Sequence, residues 1–212
     1  MPINADGYLS HLKTFLDIRE TSGKGNTPHY GQLCKAKERE NLAENEILLA
    51  DTDETTKERL KAKLSFSGRV LGLRLDACKS PLFHFMHDDG KRPWGRKCDF
   101  VLFQAHENRL KAYCIEFKKA RTLIPASDVM LQLHAGEAWC HTLHKLISAY
   151  SNKDAQLEVS KYVFTDCLNP GPDLDPDEKY LKDYPDIRHY LFSDVDGMAL
   201  EDLENDTQKV IV

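Results

Sequence analysis

The 212-residue chain has no apolar run long enough to cross a bilayer. Its opening residues, Met1-Pro2-Ile3-Asn4, lack the basic-then-apolar pattern of a secretory leader. Six cysteines (34, 78, 98, 114, 140 and 167) are dispersed without a C-x-x-C pair, which argues against both a zinc knuckle and a disulfide framework. Free thiols imply a reducing compartment, so a cytoplasmic protein with no membrane partner is expected. Internal repeats and low-complexity tracts are absent. The loop Gly23-Lys24-Gly25 lacks the G-x-x-x-x-G-K-[ST] spacing and a preceding strand, which excludes a phosphate-binding loop. Excess positive charge is also missing, the net charge being −5. It is unevenly placed, however. Between Asp173 and Asp206 there are 12 acidic and 3 basic residues, a balance of −9, so the remainder carries −5 + 9 = +4. Because backbone phosphates respond to local charge, the acidic total does not exclude a nucleic-acid substrate.

What is present describes a globular domain with additions at both ends: 41% hydrophobic and 30% charged residues are neither a disordered nor a membrane composition. Leu9, Leu12, Phe15 and Leu16 recur at helical spacing and predict a helix over 5–20. A second helix is expected over 30–50, with Leu33, Ala36, Glu40, Ala43, Glu44 and Ile47 in one stripe, followed by a charged helical segment over 51–63. Alternation of Leu71, Leu73 and Leu75 predicts a strand over 67–76. Residues 81–86 form a second short strand or an extended connection. The loop 87–97 is rich in turn residues and basic. In it Lys91, Arg92, Arg96 and Lys97 are suited to phosphates and Trp94 to stacking on a base. His84, His87, Asp88 and Asp89 can be drawn as a metal cluster, but turn geometry explains Asp-Asp-Gly adequately.

The chain is organised around residues 96–119. Two arms rich in strand-favouring residues flank a break at His106-Glu107-Asn108-Arg109, which predicts a hairpin. Three charged residues interrupt these apolar arms: Asp99, Glu116 and Lys118. Residues two apart on a strand share a face, so Glu116 and Lys118 project together while Ile115 and Phe117 point the other way. With Glu107-Asn108 as a two-residue loop, paired positions sum to 215, and Asp99 stands opposite Glu116, side chains roughly 5 Å apart. Like charges so placed are destabilising unless a cation or proton separates them, and carboxylate oxygens are what Mg²⁺ prefers.

After the hairpin, Ser127 is a candidate N-cap for a helix over 128–150. Its expected apolar stripe is Leu131, Ala135, Trp139, Leu143, Leu146 and Tyr150, with Gln132 and Gly136 on the same side. The opposite stripe, His134, Glu137, His141, His144 and Ser148, has the residue types of a zinc site, although such a row is more often a solvated face. A strand is expected over 159–166, and the proline-rich stretch Asn169-Pro170-Gly171-Pro172 ends the core. Tyr190-Leu191-Phe192 and Val210-Ile211-Val212 are candidate edge strands or partner-binding pieces.

Two carboxylates and a lysine on adjacent strands resemble the PD-(D/E)XK nuclease superfamily, with Asp99 as its lone Asp and Glu116-Phe117-Lys118 as its E-x-K. Cys98 replaces the proline that often precedes the Asp. The resemblance covers roughly the middle half of the chain. It implies an α/β (α+β) fold with a restriction-endonuclease-like core, a central mixed sheet flanked by helices in αβββαβ order. Residues 1–64 would then be a helical segment packed on the core, 65–168 the core, and 169–212 an acidic extension. It further implies a metal-dependent nuclease using Mg²⁺ or Mn²⁺ on Asp99 and Glu116, with Glu40 or Glu44 as an added ligand and Lys118 as the catalytic ammonium. Gln132 would support Lys118, and Lys91, Arg92, Arg96, Lys97, Lys119 and Arg121 would hold nucleic acid, DNA in preference to RNA. An effector subunit of a defence or repair complex, working with a helicase, ATPase or sensor, fits the small size; an oligomer is left open. The rival reading is a non-catalytic nuclease-like subunit that binds a protein through its acidic C-terminal third.

Overall fold

Period-two alternation of apolar residues governs the centre of the chain, and the strands follow it. The computed structural model describes residues 5–16, 32–33, 45–52, 57–75, 95–106, 109–119, 126–151, 156–168 and 173–205. In chain order these form α1 (Ala5–Phe15), β1 (Gln32–Leu33), β2 (Glu46–Thr52), β3 (Arg59–Ser65), β4 (Arg69–Arg74), β5 (Phe100–His106), β6 (Arg109–Lys118), α2 (Ala126–Ser151), β7 (Leu157–Thr165), β8 (Tyr180–Leu181), β9 (Tyr184–Leu191) and α3 (Phe192–Val195), then a 3-10 turn at Leu200–Asp202. No described helix is long and apolar enough to cross a membrane.

The fold is α+β. A mixed seven-stranded sheet runs in the order β1-β4-β5-β6-β7-β9-β8, and β2 and β3 form a separate antiparallel ribbon. β4, β5 and β6 are an antiparallel meander, whereas β7 lies parallel to β6 and β9 parallel to β7. A parallel neighbour requires a crossover, and α2 supplies it between β6 and β7. Alternation sends Leu71, Leu73, Val101, Phe103, Cys114 and Val163 to one face, where α1 and α2 cover them. Phe100, Leu102, Tyr113, Ile115, Phe117 and Phe164 go to the other, beneath Leu49, Ala62 and Leu64 of the ribbon and Val195 of α3. Gly197 closes α3 at φ +83°, a conformation other residues adopt only under strain, and its N–H donates to Lys63 O (2.6 Å).

Three expectations are corrected. The helices expected over 30–50 and 51–63 give way, in their described parts, to strands β1, β2 and β3. Pairing Glu46↔Ser65 through Thr52↔Arg59 buries Leu49, Ala62 and Leu64 completely, and this tertiary burial outweighs the helix propensity of a charged stretch. Among the described residues of the first 64, only α1 is helical. Second, α2 begins at Ala126, so Ser127 lies within its first turn and is not its cap. Third, the buried stripe of α2 is Val129, Leu133, Gly136, Cys140, Leu143 and Ile147 with Trp139, while Leu146 (52% exposed) and Tyr150 (76%) face outward. A stripe advancing in steps of four drifts about 40° round the helix per step, whereas alternating steps of three and four hold one direction. The described part of the acidic C-terminal stretch is built into the sheet as β8 and β9. Tyr190 and Leu191 lie on β9, one strand in from the edge, and Phe192 opens α3. The strand segments at 81–86 and 210–212 lie outside the described residues.

Leu133→Ala is expected to destabilise the protein by about 2–5 kcal/mol, because a fully buried leucine leaves a cavity, while Leu146→Ala stays within about 0.5 kcal/mol. Urea denaturation of the two variants checks the phase of the helix; equal costs would show it is wrong.

A second prediction concerns acid. His189 on β9 is buried opposite Val163, and neither ring nitrogen has a hydrogen-bond partner among the described residues. Burial and, behind it, the Arg188 charge pull its pKa from 6.5 down to about 4, against a smaller upward pull from Asp175. The unfolded chain takes up this proton near 6.5 and the folded one only near 4, so the stability present above 6.5 is lost as pH falls through that window. His189→Phe should flatten this part of the melting-temperature profile. An unchanged slope would assign the effect to another group.

Candidate active site

The hairpin register places the central residues. The pairing His106↔Arg109 leaves two residues at the tip, and Phe100↔Ile115 keeps the same register at the far end. One step further, Asp99 precedes β5 opposite Glu116 of β6, as the arithmetic of a two-residue loop predicts. The two are locked to each other's backbone. The Asp99 N–H donates to Glu116 Oε2 (3.2 Å), and the Phe117 N–H donates to Asp99 Oδ2 (2.6 Å). Both side chains are buried, Asp99 at 8% exposure and Glu116 at 1%. Two carboxylates this close and this deep are costly without a compensating cation.

Lys118, on the same face of β6, supplies one positive charge: its Nζ donates to Glu116 Oε1 (2.5 Å) and to Gln132 Oε1 (2.9 Å). Gln132 Nε2 lies 3.4 Å from Lys97 O, so this α2 amide joins the lysine of β6 to the segment entering Asp99. The intervening Phe117 points to the opposite face. Its ring packs 4.9 Å from Phe100, 5.9 Å from Phe164 and 4.9 Å from Phe192. This aromatic floor stiffens the strand at the point where Glu116 and Lys118 leave it. Behind Asp99 and Glu116 sit the buried thiols of Cys98 and Cys114. The hydrogen bond with Cys114, then burial and the nearby Asp99 and Glu116 charges, push the Cys98 thiol well up, which disfavours its thiolate.

Asp99, Glu116, Lys118 and Gln132 thus converge. The basic residues do not all point to the same place. Lys119 is in a salt bridge with Glu58, and Arg96 lies 3.5 Å from Asp128 in the first turn of α2. Lys97 adjoins the site through its carbonyl. Glu40, Glu44, Lys91, Arg92, Trp94 and Arg121, and with them His84, His87, Asp88 and Asp89, lie outside the described residues.

A second polar cluster was legible in the sequence only in its α2 half. His134 and Glu137 of α2 meet Asp186 of β9, three side chains whose ligand atoms lie within 4.8 Å of one another. Residues of this type can hold a metal ion. Here, however, the buried ammonium of Lys161 stands 2.5 Å from both Glu137 Oε2 and Asp186 Oδ2. Burial opposes that charge, but the two carboxylates outweigh it and raise the lysine pKa. The lysine thus shares two of the three side chains that a metal would need, and the cluster ties α2, β7 and β9 together. Of the expected histidine row, His144 turns to hydrogen-bond Tyr8 of α1 (2.9 Å), and only His141 is exposed. No spacing within α2 could have announced Lys161 or Asp186, which arrive from two later strands.

Lys161→Met should cost about 3 kcal/mol in urea denaturation, the low end for breaking a buried ion pair because the two carboxylates keep some solvent. A neutral outcome would show the cluster adds nothing to the fold. Set beside known proteins, the chain has no significant match to a family model, a curated protein or a solved structure.

Proposed function

We propose that the protein is a metal-dependent nuclease of PD-(D/E)XK type that hydrolyses phosphodiester bonds in DNA. The observation that carries this reading is the buried Asp99–Glu116 pair with Lys118 held beside it by Gln132. The element order supports it: α1, the β4-β5-β6 meander, α2 and parallel β7 follow the αβββαβ order, with β1–β3 inserted and β8–β9 added. The donor set fits a hard divalent cation. Two buried carboxylates side by side offer oxygen ligands, which suit Mg²⁺ or Mn²⁺.

A bound Mg²⁺ would polarise the scissile phosphate and acidify a water near neutral pH. The chain's own residues do the rest. Asp99 and Glu116 would hold the cation, each oriented by a backbone N–H of the facing strand. Lys118 would set its ammonium where the attacked phosphate gains negative charge. Gln132 Oε1 gives the ammonium a second acceptor beside Glu116 Oε1. Lys97 and Arg96, on the segment leading into Asp99, suit the flanking phosphates.

Purified protein with millimolar Mg²⁺ or Mn²⁺ is expected to cleave DNA. Asp99→Ala, Glu116→Ala and Lys118→Ala should each lose about 100-fold or more while keeping the far-ultraviolet circular dichroism of the parent. Gln132→Ala should lose about 10- to 100-fold, as for other groups that orient a reacting side chain. Absence of cleavage of DNA and RNA with either metal would overturn the reading, as would activity that survives in the Asp99 and Glu116 variants.

A further inference from the structure

Helix α2 meets the segment that enters the site at a residue with no side chain. A Cβ built on Gly136 would stand 2.5 Å from Cys98 Sγ, 3.4 Å from Cys114 Sγ and 3.6 Å from Cys98 Cβ. Both thiols belong to the site's own framework. Cys98 is the residue before Asp99, and Cys114 lies two before Glu116 on the same face of β6. One helical turn ahead of Gly136 is Gln132, which reaches Lys118 Nζ and Lys97 O. The helix therefore sits on the Cys98 sulfur at a height that only glycine permits.

We propose that Gly136 is a positioning residue: its contact with Cys98 sets the depth of α2 and so places Gln132 on Lys118. This rests on the nuclease reading for its consequence, but its steric half stands apart from it. To bring a Cβ from 2.5 Å to an ordinary contact, helix and thiol must separate by about 1 Å, a misplacement that costs a positioned group about 100-fold in rate. The sulfur has little room to yield. It is fully buried, against the Phe100 carbonyl (3.5 Å) and beside the Cys114 thiol. Helix propensity points the other way, since alanine favours a helix over glycine, so a loss in Gly136→Ala cannot come from propensity.

The experiment compares Gly136→Ala, Cys98→Ala and the double variant, each with and without Gln132→Ala. In Gly136→Ala, kcat for DNA cleavage is expected to fall about 100-fold with KM changed less than about threefold. Removing the sulfur relieves the close contact, so Cys98→Ala/Gly136→Ala should recover most of that loss. Adding Gln132→Ala to Gly136→Ala should cost nothing more, because both remove the same hold on Lys118. A merely structural role would give additive losses and a fall in active fraction without this kcat-only signature. Melting temperatures carry the steric half independently: lower in Gly136→Ala, restored in the double variant. Full activity in Gly136→Ala, additivity with Gln132→Ala, or no recovery on removing the Cys98 sulfur each overturns the proposal. Should Gly136→Ala fail to fold, the double variant decides the matter. A wild type that cleaves nothing overturns the nuclease reading instead, and the melting temperatures still test the contact.

Discussion

Two carboxylates held across one strand pair are the constraint to which the rest of the molecule answers. Asp99 and Glu116 repel each other, yet each accepts an N–H from the facing strand, so separating them would break the hairpin's own hydrogen bonds. The fold tolerates this by giving the pair an ammonium in Lys118 and fixing that ammonium with Gln132. Breaking a buried charged pair by removing its partner is costly, so Lys118 and Gln132 are tied to the pair's place in the fold.

The surrounding packing makes the arrangement rigid. On one face, Phe117 is held among Phe100, Phe164 and Phe192, which stops β6 from twisting the Glu116–Lys118 pair away. On the other, α2 descends to the Cys98 and Cys114 thiols because Gly136 has no Cβ. The far flank of the helix is fastened by Lys161 through Glu137 and Asp186. Its middle is thus held from two directions, by the thiol contact at Gly136 and by the ion pair at Glu137. The acidic C-terminal stretch takes part in this framework, since Asp186 belongs to it and β9 extends the sheet beside β7.

Much of the candidate site could be read before any coordinates. Alternation identified the arms of the hairpin, and a two-residue break set the register that puts Asp99 opposite Glu116. Gln132 was legible as a polar residue on a helix following the E-x-K strand. The β2–β3 ribbon was not, because a stretch rich in lysine and glutamate scores as helix until something is there to bury Leu49, Ala62 and Leu64. The phase of α2 failed for a related reason. Both candidate stripes contain enough apolar residues, and only the sheet beneath decides which one is covered.

The sequence by itself determined whatever depends on neighbours in the chain: strand period, hairpin register, and the acid, acid and lysine on one surface. Those follow from the two-residue repeat of a strand, which local chemistry enforces. Tertiary structure alone decided what depends on distance across the fold: the meeting of Lys161, Glu137 and Asp186, and the seating of Gly136 on a cysteine from another strand. The physical reason is that burial and close packing belong to pairs of surfaces, and no single stretch of chain contains both.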